Sequence, residues 1–153
     1  MPKKARSVES NEKALKFQEF LIENNINVFS TESVDDEYST VIFRSRIEAK
    51  GQILPMAILI DTSVFTIIRT QIITGVTEEK CGAIKEYLND LNTQYKIFKY
   101  YLREDGTVYL DICLPFADET FDSKMIQLML RVLVRHLEAV YGGIMSHIWH
   151  EES

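Results

Sequence analysis

The sequence predicts an α+β domain: a two-layer α/β sandwich with an antiparallel five-stranded sheet, in the order α-β-β-β-α-β-β-α. Three observations predict it. Residues 41–49 with 52–60, and 96–102 with 108–114, form two apolar–polar alternating pairs, each joined by a short glycine turn. Three further segments carry apolar residues at helical spacing and flank those pairs. The length of 153 residues suits one domain, enough to bury about 68–70% of its unfolded surface.

Residues 1–10 read as a disordered tail whose Lys3, Lys4 and Arg6 are solvated, and one domain fills residues 11–153. Ser10 or Asn11 caps a first helix, with Glu12 in its first turn. Its stripe is Ala14, Phe17, Phe20, Leu21 and Asn24, and Asn24-Asn25 supplies a left-handed stop. Glu32, Asp35, Asp36 and Glu37 then lie in a segment read as a solvated acidic linker. They lack the glycine and the bidentate glutamate of a calcium loop.

In the first hairpin, Lys50-Gly51 is a two-residue turn. It sets Ile47 opposite Leu54, Ser45 opposite Met56, Phe43 opposite Ile58 and Val41 opposite Ile60. Pro55 lacks a donor and marks an edge or a bulge. A third strand over 65–73 has no settled register, because Phe65 and Ile67 compete with the row Thr66, Ile68, Thr70, Ile72. Thr77 caps a second helix with the stripe Cys81, Ile84, Leu88, Leu91. Asn89 and Asn92, near its end, suit bonds to backbone.

The second hairpin needs a three-residue loop, Glu104-Asp105-Gly106, with Gly106 left-handed in a G1 bulge. Leu102 then faces Val108, Tyr100 faces Leu110 and Phe98 faces Ile112, while Lys99 opposes Asp111 on the outer face. Asp122 or Ser123 caps a last helix with the wide apolar face Ile126, Met129, Leu130, Leu133, Leu137, Val140, Tyr141. Gly142-Gly143 is expected to break or bend it, with residues 144–149 continuing it and Trp149 packed on the body.

Composition excludes several function classes. Seventeen Lys and Arg against 23 Asp and Glu give a net charge of −6 and a pI near 5.1, which disfavours nucleic acid as a partner. No apolar run approaches the roughly 18 residues of a membrane span, and the first residues hold no apolar signal core, so the cytoplasm is the expected compartment. Cys81 and Cys113 fall on periodic positions and read as buried, reduced thiols. No nucleotide-binding, metalloprotease, redox or nucleophile-elbow motif occurs. His147 and His150 have helical ligand spacing without a third ligand; His136, beside Arg135 and Glu138, reads as a surface residue; Glu119 and Asp122 read as loop and cap carboxylates. The expectation is therefore no catalytic residue, no cofactor and no metal site.

With one sheet face covered by helices, Ile42, Ile53, Ala57 and Leu59 of the first hairpin remain, with Ile97, Tyr101, Tyr109 and Cys113 of the second. On adjacent strands these would exceed the apolar patch a monomer tolerates. Ile42, Ile53, Leu59, Ile97, Tyr101 and Tyr109 are therefore the expected partner-binding residues, and a homodimer the expected state.

The element order, with LNDLNTQYKIFKYYLREDGTVYLDICLPF at its centre, resembles the YbjN family. Leu88, Asn89, Leu91 and Asn92 at the helix end, and Phe98, Asp105, Gly106, Val108 and Leu110 in the hairpin, carry the resemblance, which spans roughly residues 11–141. That family is described as bacterial sensory transduction regulators with the fold of type III secretion chaperones. The resemblance implies a two-layer fold, frequent homodimers that pair chiefly through the middle helix and nearby strands (here residues 77–93), and protein binding. It supplies no catalytic residues. The expected function is a non-enzymatic, chaperone-like or regulatory protein-binding module. The alternative is a small ligand-binding or enzymatic domain with a site built from scattered residues.

Overall fold

A computed structural model describes residues 10–149. The tail expected over residues 1–10 lies outside them except for Ser10, as does His150. The elements are α1 (Glu12–Glu23), β1 (Ser30–Ser33), β2 (Val41–Ala49), β3 (Gln52–Ile60), β4 (Phe65–Ile73), α2 (Glu78–Gln94), β5 (Lys99–Leu102), β6 (Val108–Pro115) and α3 (Ser123–Trp149). The strands form one antiparallel sheet of six, in the order β1-β2-β3-β4-β6-β5.

Both hairpin registers are as the alternation predicts. Val41 pairs with Ile60, Phe43 with Ile58 and Ile47 with Leu54. Lys50 and Gly51 both have positive φ, 51° and 73°, as a type I′ turn requires. In the second hairpin Leu102 pairs with Val108 and Tyr100 with Leu110. Gly106 has φ +83° and donates its N–H to the Arg103 carbonyl at 3.0 Å, while the Arg103 N–H reaches the Thr107 carbonyl at 2.9 Å. β5 begins at Lys99, so Phe98 does not pair with Ile112; it is buried against His136 instead.

The sheet has six strands where five were expected. Residues 30–33 are an edge strand on β2, with the Arg44 guanidinium gripping Glu32 at 3.0 Å. The acidic linker is thus shorter and built. Asp36 accepts the Tyr38 and Thr40 N–H groups and the Thr40 hydroxyl, and that hydroxyl bond chiefly holds its carboxyl below the usual range.

All three helices cover one face. Their inward residues, among them Phe17, Ile84, Leu88, Ile126, Leu133 and Leu137, join the alternate residues of β2, β3, β4 and β6 in one core. In β4 the inward row is Thr66, Ile68, Thr70 and Ile72, and Phe65 is exposed. β3 is central, yet Pro55 sits where its ladder with β4 stops, and β4 bulges between Gln71 and Ile73. Asn11 caps α1 by accepting the Ala14 N–H, and its amide donates to the Ile60 carbonyl at 2.8 Å. Thr77 stands at the N-cap of α2 without a side-chain cap bond. Asp122 caps α3.

α3 runs unbroken through Gly142-Gly143. A Cβ on Gly143 would lie 2.7 Å from the Tyr87 hydroxyl, so this glycine lets α2 and α3 approach closely. Tyr87 then stacks on His147, with ring centroids 3.7 Å apart. Ile144 and Ile148 bury, whereas Trp149 is 61% exposed, contrary to its expected packing.

Candidate functional site

Among the described residues, the face opposite the helices carries no layer of its own. Alternation along β2, β3, β4 and β6 aligns Ile42, Leu59, Ile67 and Cys113 in one row across four strands. The neighbouring row runs Arg44, Ala57, Arg69, Asp111 and Lys99, and beyond it Gln71, Tyr109 and Tyr101 stand side by side. A shallow hollow of about 330 Å³ lies on this face, lined by Ile42, Arg44, Leu59, Arg69, Gln71 and Tyr109 among others.

Arg69 and Asp111 meet in a two-pronged ion pair beside this hollow: Nε to Oδ1 at 3.0 Å and Nη2 to Oδ2 at 2.9 Å. The Tyr101 hydroxyl donates to Asp111 Oδ2 at 3.1 Å. Those bonds leave Asp111 nearly buried although it points away from the helices. The hydrogen bonds to Asp111 raise the Arg69 pKa further, and burial, followed by the Asp111 charge, raises the Tyr101 phenol. Tyr101 stacks on Tyr109 at 5.6 Å, and the Lys99 ammonium lies 5.4 Å from the Tyr101 ring. Lys99 keeps its register opposite Asp111, but Arg69 is the carboxylate's ion-pair partner.

Of the six residues expected to bind a partner, Ile42, Leu59 and Tyr109 line the hollow and Tyr101 adjoins it through Tyr109. Ile53 is on the same face but at the turn end of β3, opposite Glu48 and 62% exposed. Ile97 precedes β5, outside the sheet. Arg69 was missed because the register of β4 is not legible from its own residues; its charge on the row opposite Thr70 was the available signal. Cys113 is exposed on this face rather than buried, and desolvation, then the Asp111 charge, raises its thiol pKa, which disfavours the thiolate. Cys81 is half-buried and donates to the Thr77 carbonyl.

His136 lies in the core, not on the surface. Its Nε2 is 2.7 Å from the Tyr100 hydroxyl, its ring stacks on Phe98, and Tyr95 meets it edge-on. Desolvation lowers its pKa to about 4, and burial raises that of Tyr100, so the pair is neutral. Lys13 is likewise buried, its ammonium bonded to the carbonyls of Ser63 and Phe116. Among the described residues no cluster of three or more His, Cys, Asp or Glu side chains could hold a metal ion. Nor is any helix among them long and apolar enough to cross a membrane. In comparisons with known proteins, no family model and no curated protein matches the chain.

Proposed function

We propose that this chain is a non-enzymatic protein-binding module, chaperone-like or regulatory, that acts as a homodimer in the bacterial cytoplasm and offers the helix-free sheet face to a protein. The observation that carries this reading is the uncovered row Ile42, Leu59, Ile67 and Cys113, continued by the Tyr109–Tyr101 stack. A half-exposed apolar strip rimmed by Arg44, Arg46 and Lys99 has the anatomy of an interface, with aromatic anchors and a charged rim. The resemblance to the YbjN family and to secretion chaperones points the same way. Pairing through the middle helix draws no support from α2, since no exposed large apolar residue lies on it among the described residues.

The hollow of about 330 Å³ favours a second reading, a small anionic ligand between Arg44 and Arg69. Both guanidinium groups are already matched, by Glu32 and Asp111, which weakens it.

Light scattering at micromolar concentration tests the dimer: a mass near the 17.8 kDa of one chain overturns it. Capture from the source cell tests the face. A partner held by the native chain and lost by the double variant Leu59→Lys, Tyr109→Lys is the expected result. Identical capture by both overturns the assignment.

A further inference from the structure

Two depressions adjoin at the β2 edge of the sheet. The inner one, about 210 Å³, is walled by Phe17 and Phe20 of α1, Phe29 ahead of β1, Ile47 of β2, Met56 of β3 and Leu130 of α3. The outer one, about 380 Å³, runs between residues 27–30 and residues 44–46. Val28, Phe29, Ser45 and Arg46 line both, so the two are continuous there.

Their polarity is divided. Only Ser45, Arg46 and Gln127 are polar among the residues lining the inner hollow. The outer groove carries Asn27, Ser30, Arg44, Ser45 and Arg46, and no carboxylate lines it. Arg44 is already held by Glu32 at 3.0 Å. Arg46 has no ion pair among the described residues, and Glu48, the next residue along its row, does not pair with it. β1 pairs with β2 only as far as Arg44, so at Arg46 the edge is a groove rather than a paired strand. The long arginine stem can swing the guanidinium into that groove.

We infer that this double depression binds a medium-chain fatty acid, its alkyl chain in the inner hollow and its carboxylate in the outer groove at Arg46. Each part of the ligand follows from one feature. A single unmatched guanidinium fits a single carboxylate, which it can hold by two parallel hydrogen bonds. Asn27, Ser30 and Ser45 can add donors to the carboxylate oxygens. The walls of the hollow are aromatic and aliphatic, so they favour an unbranched hydrocarbon over a polar ligand. At roughly 30 Å³ for each water-sized group, the hollow takes about seven carbons, which suits an acid of about eight. The inference does not depend on what the helix-free face binds.

Titration of the full chain with sodium octanoate, followed by calorimetry and methyl NMR, tests this. Octanoate should bind saturably, with shifts concentrated at the methyl groups of Ile47, Met56 and Leu130 rather than at Leu59 and Ile67. Hexanoate should bind about tenfold more weakly, because two methylenes leave the apolar hollow. Dodecanoate should gain far less per carbon than octanoate does over hexanoate, because the hollow is already full. Octanol should bind about tenfold more weakly than octanoate to the native chain, and equally well to Arg46→Gln, which should lose octanoate affinity by about the same factor. Arg46 is exposed, so that variant should keep the native circular dichroism and melting temperature. Absence of saturable octanoate binding overturns the inference, as do shifts confined to Leu59 and Ile67. Octanol binding as tightly as octanoate to the native chain overturns it too, since the hollow would then take any apolar group, a partner's side chain included.

Discussion

His136 shows how one buried side chain couples stability to pH. Folding lowers its pKa from 6.5 to about 4, so the unfolded chain binds its proton first. The associated stability is therefore fully present above about pH 6.5 and is lost as pH falls through the window down to about 4. The full loss is on the order of 3 kcal/mol, at roughly 1.4 kcal/mol per unit. Protonation also puts a hydrogen on both ring nitrogens, so that Nε2 can only donate to the Tyr100 oxygen. The Tyr100 phenol beside it, its pKa raised by burial, stays neutral across that range. Urea midpoints at about pH 7.5 and about pH 5 should show the drop, and His136→Gln should remove most of it. The position was legible after all: residue 136 lies three beyond Leu133 and four before Val140, on the buried stripe, and only its charged neighbours suggested otherwise. Glycines at the two hairpins separate strain from crowding. Gly51 has positive φ and open space, so Gly51→Ala should cost about 1–2 kcal/mol. A Cβ on Gly106 would lie 2.6 Å from the Val76 carbonyl oxygen, so Gly106→Ala should cost distinctly more. Equal losses in chemical denaturation would contradict the close approach of that loop to Val76.

Among the elements, legibility followed the strength of the alternation. β2, β3 and the second hairpin carry period-two patterns around a turn glycine, and their registers emerge from the residues alone. β4 does not, because Ile67 and Ile68 are adjacent and both apolar; its register is settled by partners, Ile68 on Ile112 and Arg69 on Asp111. β1 reads Ser-Thr-Glu-Ser, which has no apolar face to bury, so nothing in it signals a strand; an edge position needs only backbone pairing and one ion pair to Arg44. Asn92 works at this scale too, tying the end of α2 to β5 with two bonds. Asn92→Ala leaves the N–H and C=O of nearly buried Tyr100 unmatched, and should cost about 1–3 kcal/mol. Loss of amide-exchange protection should concentrate at Tyr100. Unchanged protection there would mean that β5 is held by β6 alone.

At the scale of the whole molecule, a single helix layer on a single sheet gives adjacent residues of one strand opposite roles. Ile58 and Leu110 are fully buried under the helices, whereas their neighbours Leu59 and Tyr109 are half-exposed on the other face. Truncating the first pair removes core volume: Ile58→Ala or Leu110→Ala should each cost about 2–5 kcal/mol. Charging the second pair disturbs a surface with no layer against it among the described residues, so Leu59→Lys or Tyr109→Lys should cost about 1 kcal/mol or less. This contrast is independent of what the face binds. The candidate site was legible to the same extent as the faces were: strand parity placed Ile42, Leu59, Tyr101 and Tyr109 together, while the Arg69–Asp111 pair required the β4 register. Ile97 had parity with Tyr101 but no strand to carry it there. Denaturation midpoints of the four variants decide the matter. If Leu59→Lys or Tyr109→Lys destabilises the chain as much as Ile58→Ala does, the helix-free face is packed against something in the folded protein. The strip would then be part of a core, and the reading of it as a surface free to take a partner would fall.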